Sequence, residues 1–319
     1  MSKKKKLLTL TEQNVQTRIS LEEGYDKFRK HNKVKNLSQS TVSFYDICFR
    51  LFNRYYDNDI DKIDREVIDD YILHLRADDS VNDISIQSYI RGLRAFLYYM
   101  VDNGHIDRFT INIPKAEESI KDTYTDTELN ILLKKPRLKD TTFAGYRNWV
   151  IINFLLATGC RASTLCNVKV RDLDFDGGFI KFTTTKNKQA TVIPLSIELN
   201  KVLTEYLKFY KPETDDYLFP TVYGTKMSIY TLTSAVKKYN IKRGLSKTSI
   251  HAYRHTFAKT WVVNGGDIFR LQKILGHKSL EMVRRYVNLY GQDLKKDYDK
   301  YNPLAQFSKS RGKHLKLNK

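Results

Sequence analysis

Apolar residues recur at three- and four-residue steps through most of the first hundred positions, and this period constrains the fold more than any other feature. In residues 38–56 the series is Val42, Tyr45, Phe49, Phe52 and Tyr56. In 64–75 it is Val67, Ile68, Tyr71, Ile72 and Leu75, and in 85–101 it is Ile86, Ile90, Leu93, Leu97 and Met100. A helical period puts each series on one face, and each face needs a partner to cover it. Three or four helices of this length predict a small bundle over residues 19–107. Ser38 or Ser40 suits a helix start, and Gly104 reads as a stop. Over residues 108–122 the period is lost, and Pro114 with a charge cluster reads as a linker.

A second domain follows. Residues 125–133 predict a helix, with Asp126 and Glu128 suited to its positive end. Residues 148–156 predict an apolar helix. Residues 173–195 change character: Phe179, Ile180, Phe182, Thr191, Val192 and Ile193 are β-branched or aromatic, and Gly177-Gly178 marks a turn. They predict a small antiparallel sheet. Helices resume from 198, including one over 288–301. The expected fold is mainly α with a small antiparallel β-sheet. Its parts are a basic arm at 1–18, a helical domain at 19–107, a linker at 108–122, an α+β domain at 123–305 and a basic tail at 306–319. The 18 residues before the first helix are too few for an ordinary additional domain.

Charge divides the same two halves. The chain has 55 Lys+Arg against 36 Asp+Glu, a net of +19. Residues 1–112 hold 18 and 17, so nearly all the excess, +18, lies in residues 113–319. An excess of this size points to a polyanion, most often nucleic acid or an anionic membrane surface. The longest apolar run, 149–157, is too short to span a bilayer, and the apolar stretch after Lys3–Lys6 fails at Thr11. Three cysteines, Cys48, Cys160 and Cys166, show no metal or redox spacing, so reduced thiols in the cytoplasm are expected. No cluster of carboxylates stands at metal-ligand spacing, and no metal or cofactor is expected.

Four places in the second domain combine into a pattern. They are Ala157-Thr158-Gly159-Cys160-Arg161, Lys186 eight residues before Pro194, His251-Ala252-Tyr253-Arg254-His255-Thr256-Phe257-Ala258, and Leu275-Gly276-His277-Lys278-Ser279 with Tyr286 downstream. Each is weak alone: a capped helix end, a polar turn, a core histidine beside an arginine, and one of 21 tyrosines. In this order the set resembles the tyrosine recombinases, or phage integrase family. The resemblance covers the second domain closely. The first domain matches only in size and pattern, as a helical core-binding, SAM-like domain, with Leu93-Arg94-Ala95-Phe96 before Gly104.

The resemblance implies a site-specific recombinase that breaks and rejoins double-stranded DNA at a specific recombination site, without metal or ATP. Arg161 and Arg254 would grip the non-bridging oxygens of one phosphate, where planar guanidinium forks suit the geometry. Tyr286 would be the nucleophile, Lys186 the general acid at the leaving 5′ oxygen, and His251 would assist proton transfer. His277 would bond the phosphate. The product would be a 3′-phosphotyrosyl link, made within a tetramer on DNA and with the tail docking on a neighbouring protomer. Lys188 competes with Lys186; the distance to Pro194 favours Lys186. The family often places an acid three residues after the first arginine, where this chain has Thr164. His255 is expected to be structural, and Cys160 a buried thiol rather than a nucleophile.

The family clamps DNA between two domains, so the near-neutral first domain must segregate its charges. Arg50 with Arg54, and Arg91 with Arg94, each share a helix face, with Lys33 and Lys35 nearby. These six are the expected DNA contacts. Two other readings share the residue set: a DNA-binding regulator without the reaction, and a type IB topoisomerase. The complete set argues against the first, and the tail and motif spacings against the second.

Overall fold

A computed structural model of the chain describes residues 19–116, 122–183, 190–277, 279, 298, 302 and 304. The chain divides into two compact units, Met1–Ser119 and Ile120–Lys319. Among the described residues it is mainly α with one three-stranded sheet.

The first unit is built from α1 (Leu21–Val34), α2 (Gln39–Tyr55), α3 (Arg65–Arg76) and α4 (Asp83–Asp102). Ser38 caps α2 by accepting from the Thr41 N–H, and Asp64 caps α3 from Val67 N–H. The helix expected from 85 begins two residues earlier because Asn82 is its cap, accepting from Ser85 N–H. The periodic residues meet inside: Phe52, Ile90, Leu97 and Met100 are fully buried. Each such side chain contributes about 1.5–3 kcal/mol on burial. Gly92 lets α4 approach α2, since a Cβ there would collide with Cys48 Sγ. The expected linker at 108–122 is described as far as residue 116, and again at 122. Residues 108–116 have no regular element, but Ile106 and Ile111 are buried in the bundle core. Gln87 Nε2 also donates to Pro114 O at 3.0 Å. This stretch is irregular in backbone but packed.

The second unit centres on α6 (Phe143–Thr158), which is longer than the expected 148–156 because Thr142 caps it. Trp149, Val150, Ile151, Ile152, Phe154 and Leu155 are all buried, so the helix is covered all round. It packs against α5 (Asp126–Leu133), α8 (Ile197–Tyr210), α9 (Ile229–Lys242) and α10 (Ile250–Val263). Short α7 (Ala162–Leu165) follows α6, and α11 (Ile268–Leu275) follows α10. The sheet has order β1-β2-β3, with β1 Leu173–Asp174, β2 Phe179–Phe182 and β3 Thr191–Pro194, all antiparallel. Ile180 pairs with Ile193 and both face inward. Pro194, with no N–H to donate, is tolerated on edge strand β3. Among the described residues no helix is long and apolar enough to cross a membrane. The arm at 1–18 and all but single positions of the helix expected over 288–301 lie outside the described residues.

Candidate active site

Two helix ends build the site. Apolar α6 stops at Gly159, which takes the left-handed conformation (φ 58°) and returns its N–H to Leu155 O. The turn delivers Arg161 to the start of α7. At the other end α11 stops at Gly276 (φ 60°), whose N–H donates to Lys273 O at 3.0 Å. His277 N–H then donates to Gln272 O at 3.0 Å. These two bonds form a Schellman ending, and they place the imidazole of His277 just past the helix. Only a residue that tolerates positive φ suits either turn, which is why glycine precedes both Arg161 and His277.

Helix ends leave carbonyls without intrahelical donors. Here arginines supply them. Arg254, on α10 and only 4% exposed, donates to Gly159 O at 2.7 Å and to Leu275 O at 2.9 Å. Its Nη2 also lies 2.6 Å from His277 Nε2. Arg161 donates to Leu275 O at 3.3 Å and Gly276 O at 3.4 Å. The partial negative charge of two helix C-termini favours cations at this point. Neutral carbonyls orient the Arg254 guanidinium without cancelling its charge; no carboxylate among the described residues lies within 4 Å of it. Both arginines and His277 line a cleft of about 610 Å³, together with Thr164, Gln272 and Lys273. The chemistry that fits is capture of an oxyanion.

The imidazoles register the same charge. Burial, then Arg254 and Arg161, push His277 down to about 4. The same causes, in the same order, lower His251 on the first turn of α10. With Arg254 donating, His277 Nε2 is the acceptor and the ring is neutral. A depressed folded value means that protonation favours the unfolded chain. Stability from His277 is therefore complete above about 6.5 and is lost as pH falls towards 4. Thermal melts from pH 7 to 4 should show a steeper acid decline for the wild type than for His277→Gln. Parallel curves would remove His277 as the cause.

The structure brings together Arg161, Arg254 and His277 from distant parts of the chain. His251 stands one helical turn before Arg254, with part of its surface in solvent. Lys186, its rival Lys188, and Tyr286 lie outside the described residues. The strands on either side of 184–189 do reach the cleft, through Phe182, Thr191 and Val192. Thr164, at the position where the family often has an acid, is buried and lines the cleft. Cys160 is buried, and burial pushes its thiol up to about 11, which leaves it a protonated core residue at neutral pH. Gln272 and Lys273 are additions. Gln272 Nε2 donates to His277 O at 3.2 Å, and Lys273 is an exposed cation on the cleft rim. Their signal in the sequence is faint: they sit five and four residues before His277.

In the first unit Lys33, Lys35, Arg50, Arg54 and Arg91 are exposed, and Arg94 is half-buried with its guanidinium 6.0 Å from the Tyr98 ring centre. Among the described residues none of these six has a carboxylate within 4 Å. Other cations of the unit do: Arg29 pairs with Asp46 at 3.4 Å, and Arg65 with Asp69 at 3.4 Å. Arg91 and Arg94 flank Gly92, where α4 meets α2, the helix that carries Arg50 and Arg54.

Residues 125–292 match the phage integrase family, and residues 23–116 match the phage integrase SAM-like domain. Tyrosine recombinase XerD of Staphylococcus epidermidis is 27% identical over 284 residues, covering 85% of this chain and 95% of the relative. A Tn1549 transposon integrase, solved in complex with a circular intermediate DNA, shares the fold with a TM-score of 0.71. It is 21% identical, over 88% of this chain and 99% of that one. A lambda integrase tetramer bound to a Holliday junction does so with a TM-score of 0.67 and 18% identity, over 85% and 78%.

Proposed function

This chain belongs to the phage integrase family, the tyrosine recombinases, whose members cleave and rejoin DNA, and from that premise we propose that it is a site-specific recombinase working through a 3′-phosphotyrosyl intermediate. The observation that carries this reading is the meeting of Arg161, Arg254 and His277 in one cleft, with Arg254 held by neutral carbonyls. Two guanidiniums can each offer paired N–H groups to the non-bridging oxygens of a phosphodiester and stabilise the charge that develops there.

In the proposed reaction Tyr286 Oη attacks the phosphorus, and the bond to the 5′ oxygen breaks. Lys186 protonates that leaving oxygen, while the phenol proton passes by way of His251. A free phenol ionises near 10, so the neighbouring cations favour the phenolate. His277 bonds a phosphate oxygen in the transition state. The phosphotyrosyl bond retains the energy of the phosphodiester, so a second 5′ hydroxyl can rejoin the strand without ATP. The partner is double-stranded DNA carrying a specific site, and the active form is a tetramer on that DNA, acting in the cytoplasm. The arm at 1–18, a core-binding unit, a linker at 108–122, the catalytic unit and the tail complete the proposed organisation.

A nicked DNA duplex that loses a short strand after cleavage traps the intermediate. With its own site, the protein should accumulate a covalent adduct that survives denaturation, equally with and without a chelator and without nucleotide. No adduct on any duplex that the protein binds specifically would refute this function.

The six cations of the first unit are proposed to contact the DNA backbone. Each phosphate contact contributes about −0.9 to the slope of log affinity against log salt. Arg91→Ala with Arg94→Ala should therefore weaken binding and make that slope shallower by about 2. An unchanged affinity and slope in a salt titration would remove α4 from the interface.

A further inference from the structure

Helix α10 carries His251 and Arg254, yet it starts differently from its neighbours. Every other described helix of eight or more residues has a side chain accepting from its first turn. At α10 the preceding Ser249 makes no such bond. Its entry is set from a distance instead. Tyr253 Oη donates to Asn240 Oδ1 of α9 at 2.9 Å, and Asn240 Nδ2 donates to Tyr124 Oη at 2.8 Å and to Lys247 O at 2.9 Å. The Tyr124 N–H donates to Thr256 Oγ1 on α10 at 2.8 Å, and the Tyr124 and Tyr253 rings stand 4.4 Å apart. Lys247 Nζ closes the group, reaching Thr123 O at 2.6 Å and Glu128 Oε2 at 3.1 Å.

None of Tyr124, Asn240 and Tyr253 lines the cleft. Successive residues on a helix point about 100° apart. Tyr253 thus faces α9 and the strand of chain at 122–125, while Arg254 faces the ends of α6 and α11. A shift of α10 along its axis would move the guanidinium off Gly159 O and Leu275 O. The buried network resists that shift, because sliding would leave Asn240 Oδ1, the Tyr253 hydroxyl and the Tyr124 N–H without partners in a dry core.

We propose that Tyr253, Asn240 and Tyr124 are positioning residues that lock the start of α10 to α9 and to the entry strand of the second unit, and so hold Arg254 at the phosphate. This rests on the reading of Arg254 as a phosphate ligand. It adds a device outside the motif: an amide–hydroxyl network joining three separate segments of the chain.

The test uses Tyr253→Phe, which keeps the ring and removes only the hydroxyl, and Asn240→Ala. Single-turnover adduct formation on nicked DNA should fall by about tenfold to a hundredfold, the scale of a small misplacement of a reacting group. DNA affinity should stay within about twofold. In an Arg254→Lys background the further loss from Tyr253→Phe should shrink to about twofold or less, because both changes act through one group. Leu203→Ala, in the core of α8, should lower the melting temperature and leave the rate intact. A wild-type rate in Tyr253→Phe, full additivity with Arg254→Lys, or the same rate loss in Leu203→Ala would each overturn the proposal. Amide exchange provides a reading that needs no reaction. Tyr253→Phe should speed exchange at residues 251–255 and not in α6, and unchanged exchange would overturn it. A wild type that forms no adduct counts instead against the recombinase function.

Discussion

Tyr286→Phe is expected to abolish the covalent protein–DNA adduct while leaving DNA binding intact. The change removes one oxygen, the atom that forms the bond to phosphorus, and keeps the ring. Loss of a nucleophile costs about 10⁶-fold in enzymes that act through a covalent intermediate. On a denaturing gel this is a complete absence of the slow-migrating species over hours. Affinity should be unchanged, because attraction to duplex comes from cations such as those of the +18 second half of the chain. The outcome that sinks the assignment is an adduct formed by Tyr286→Phe. Tyr290, four residues further on, is then the residue to test by mapping the labelled peptide.

Arg254→Ala is the second large effect, and it has two parts. The first is chemical: an arginine that neutralises a transferring phosphoryl group is worth about 10³–10⁵ in rate. The second is structural. Gly159 O would lose its donor in a buried site, at a cost of about 1–3 kcal/mol, and Leu275 O would keep only the longer bond from Arg161. The melting temperature should therefore fall together with the rate. Arg254→Lys separates the two parts. It keeps the charge but cannot reproduce a planar fork that spans two helix ends, so it should recover part of the stability and still lose about 10²-fold or more in rate. A rate for Arg254→Ala within about tenfold of wild type would mean that the guanidinium is a structural clamp and not a phosphate ligand.

Much of the fold was legible because its signals are local. The spacing of Val42, Phe49 and Phe52, or of Ile86, Ile90 and Leu97, is a property of one helix face and needs no knowledge of the partner. Caps are equally local, which is why Ser38, Asp64 and Thr125 mark starts that the structure keeps. The packing of the stretch after Gly104 was not legible because its partners are distant. Ile106 and Ile111 have no period of their own, and only the bundle gives them something to pack against. Arg147 is a similar case. It looks like a surface cation, yet it is buried in α6, donates to Pro220 O and lies 5.8 Å from the Phe143 ring centre. Burial lowers its pKa, and no single stretch of sequence could have announced that.

At the site, the chain by itself determined the chemical inventory and the local turns. Gly159 ahead of Arg161, Gly276 ahead of His277, and His251 one turn before Arg254 are all set by short-range backbone geometry. Sequence order also suffices for the family. What only the tertiary structure decided is why these side chains act together. Arg161 and Arg254 lie 93 positions apart, and the carbonyls of Gly159 and Leu275 that orient Arg254 come from different helices. The depression of His277, and the network through Tyr124 and Asn240 that sets the start of α10, likewise depend on which groups are buried beside one another. Hydrogen bonds and charges act over a few ångströms regardless of separation along the chain, so their energies exist only once the helices have packed.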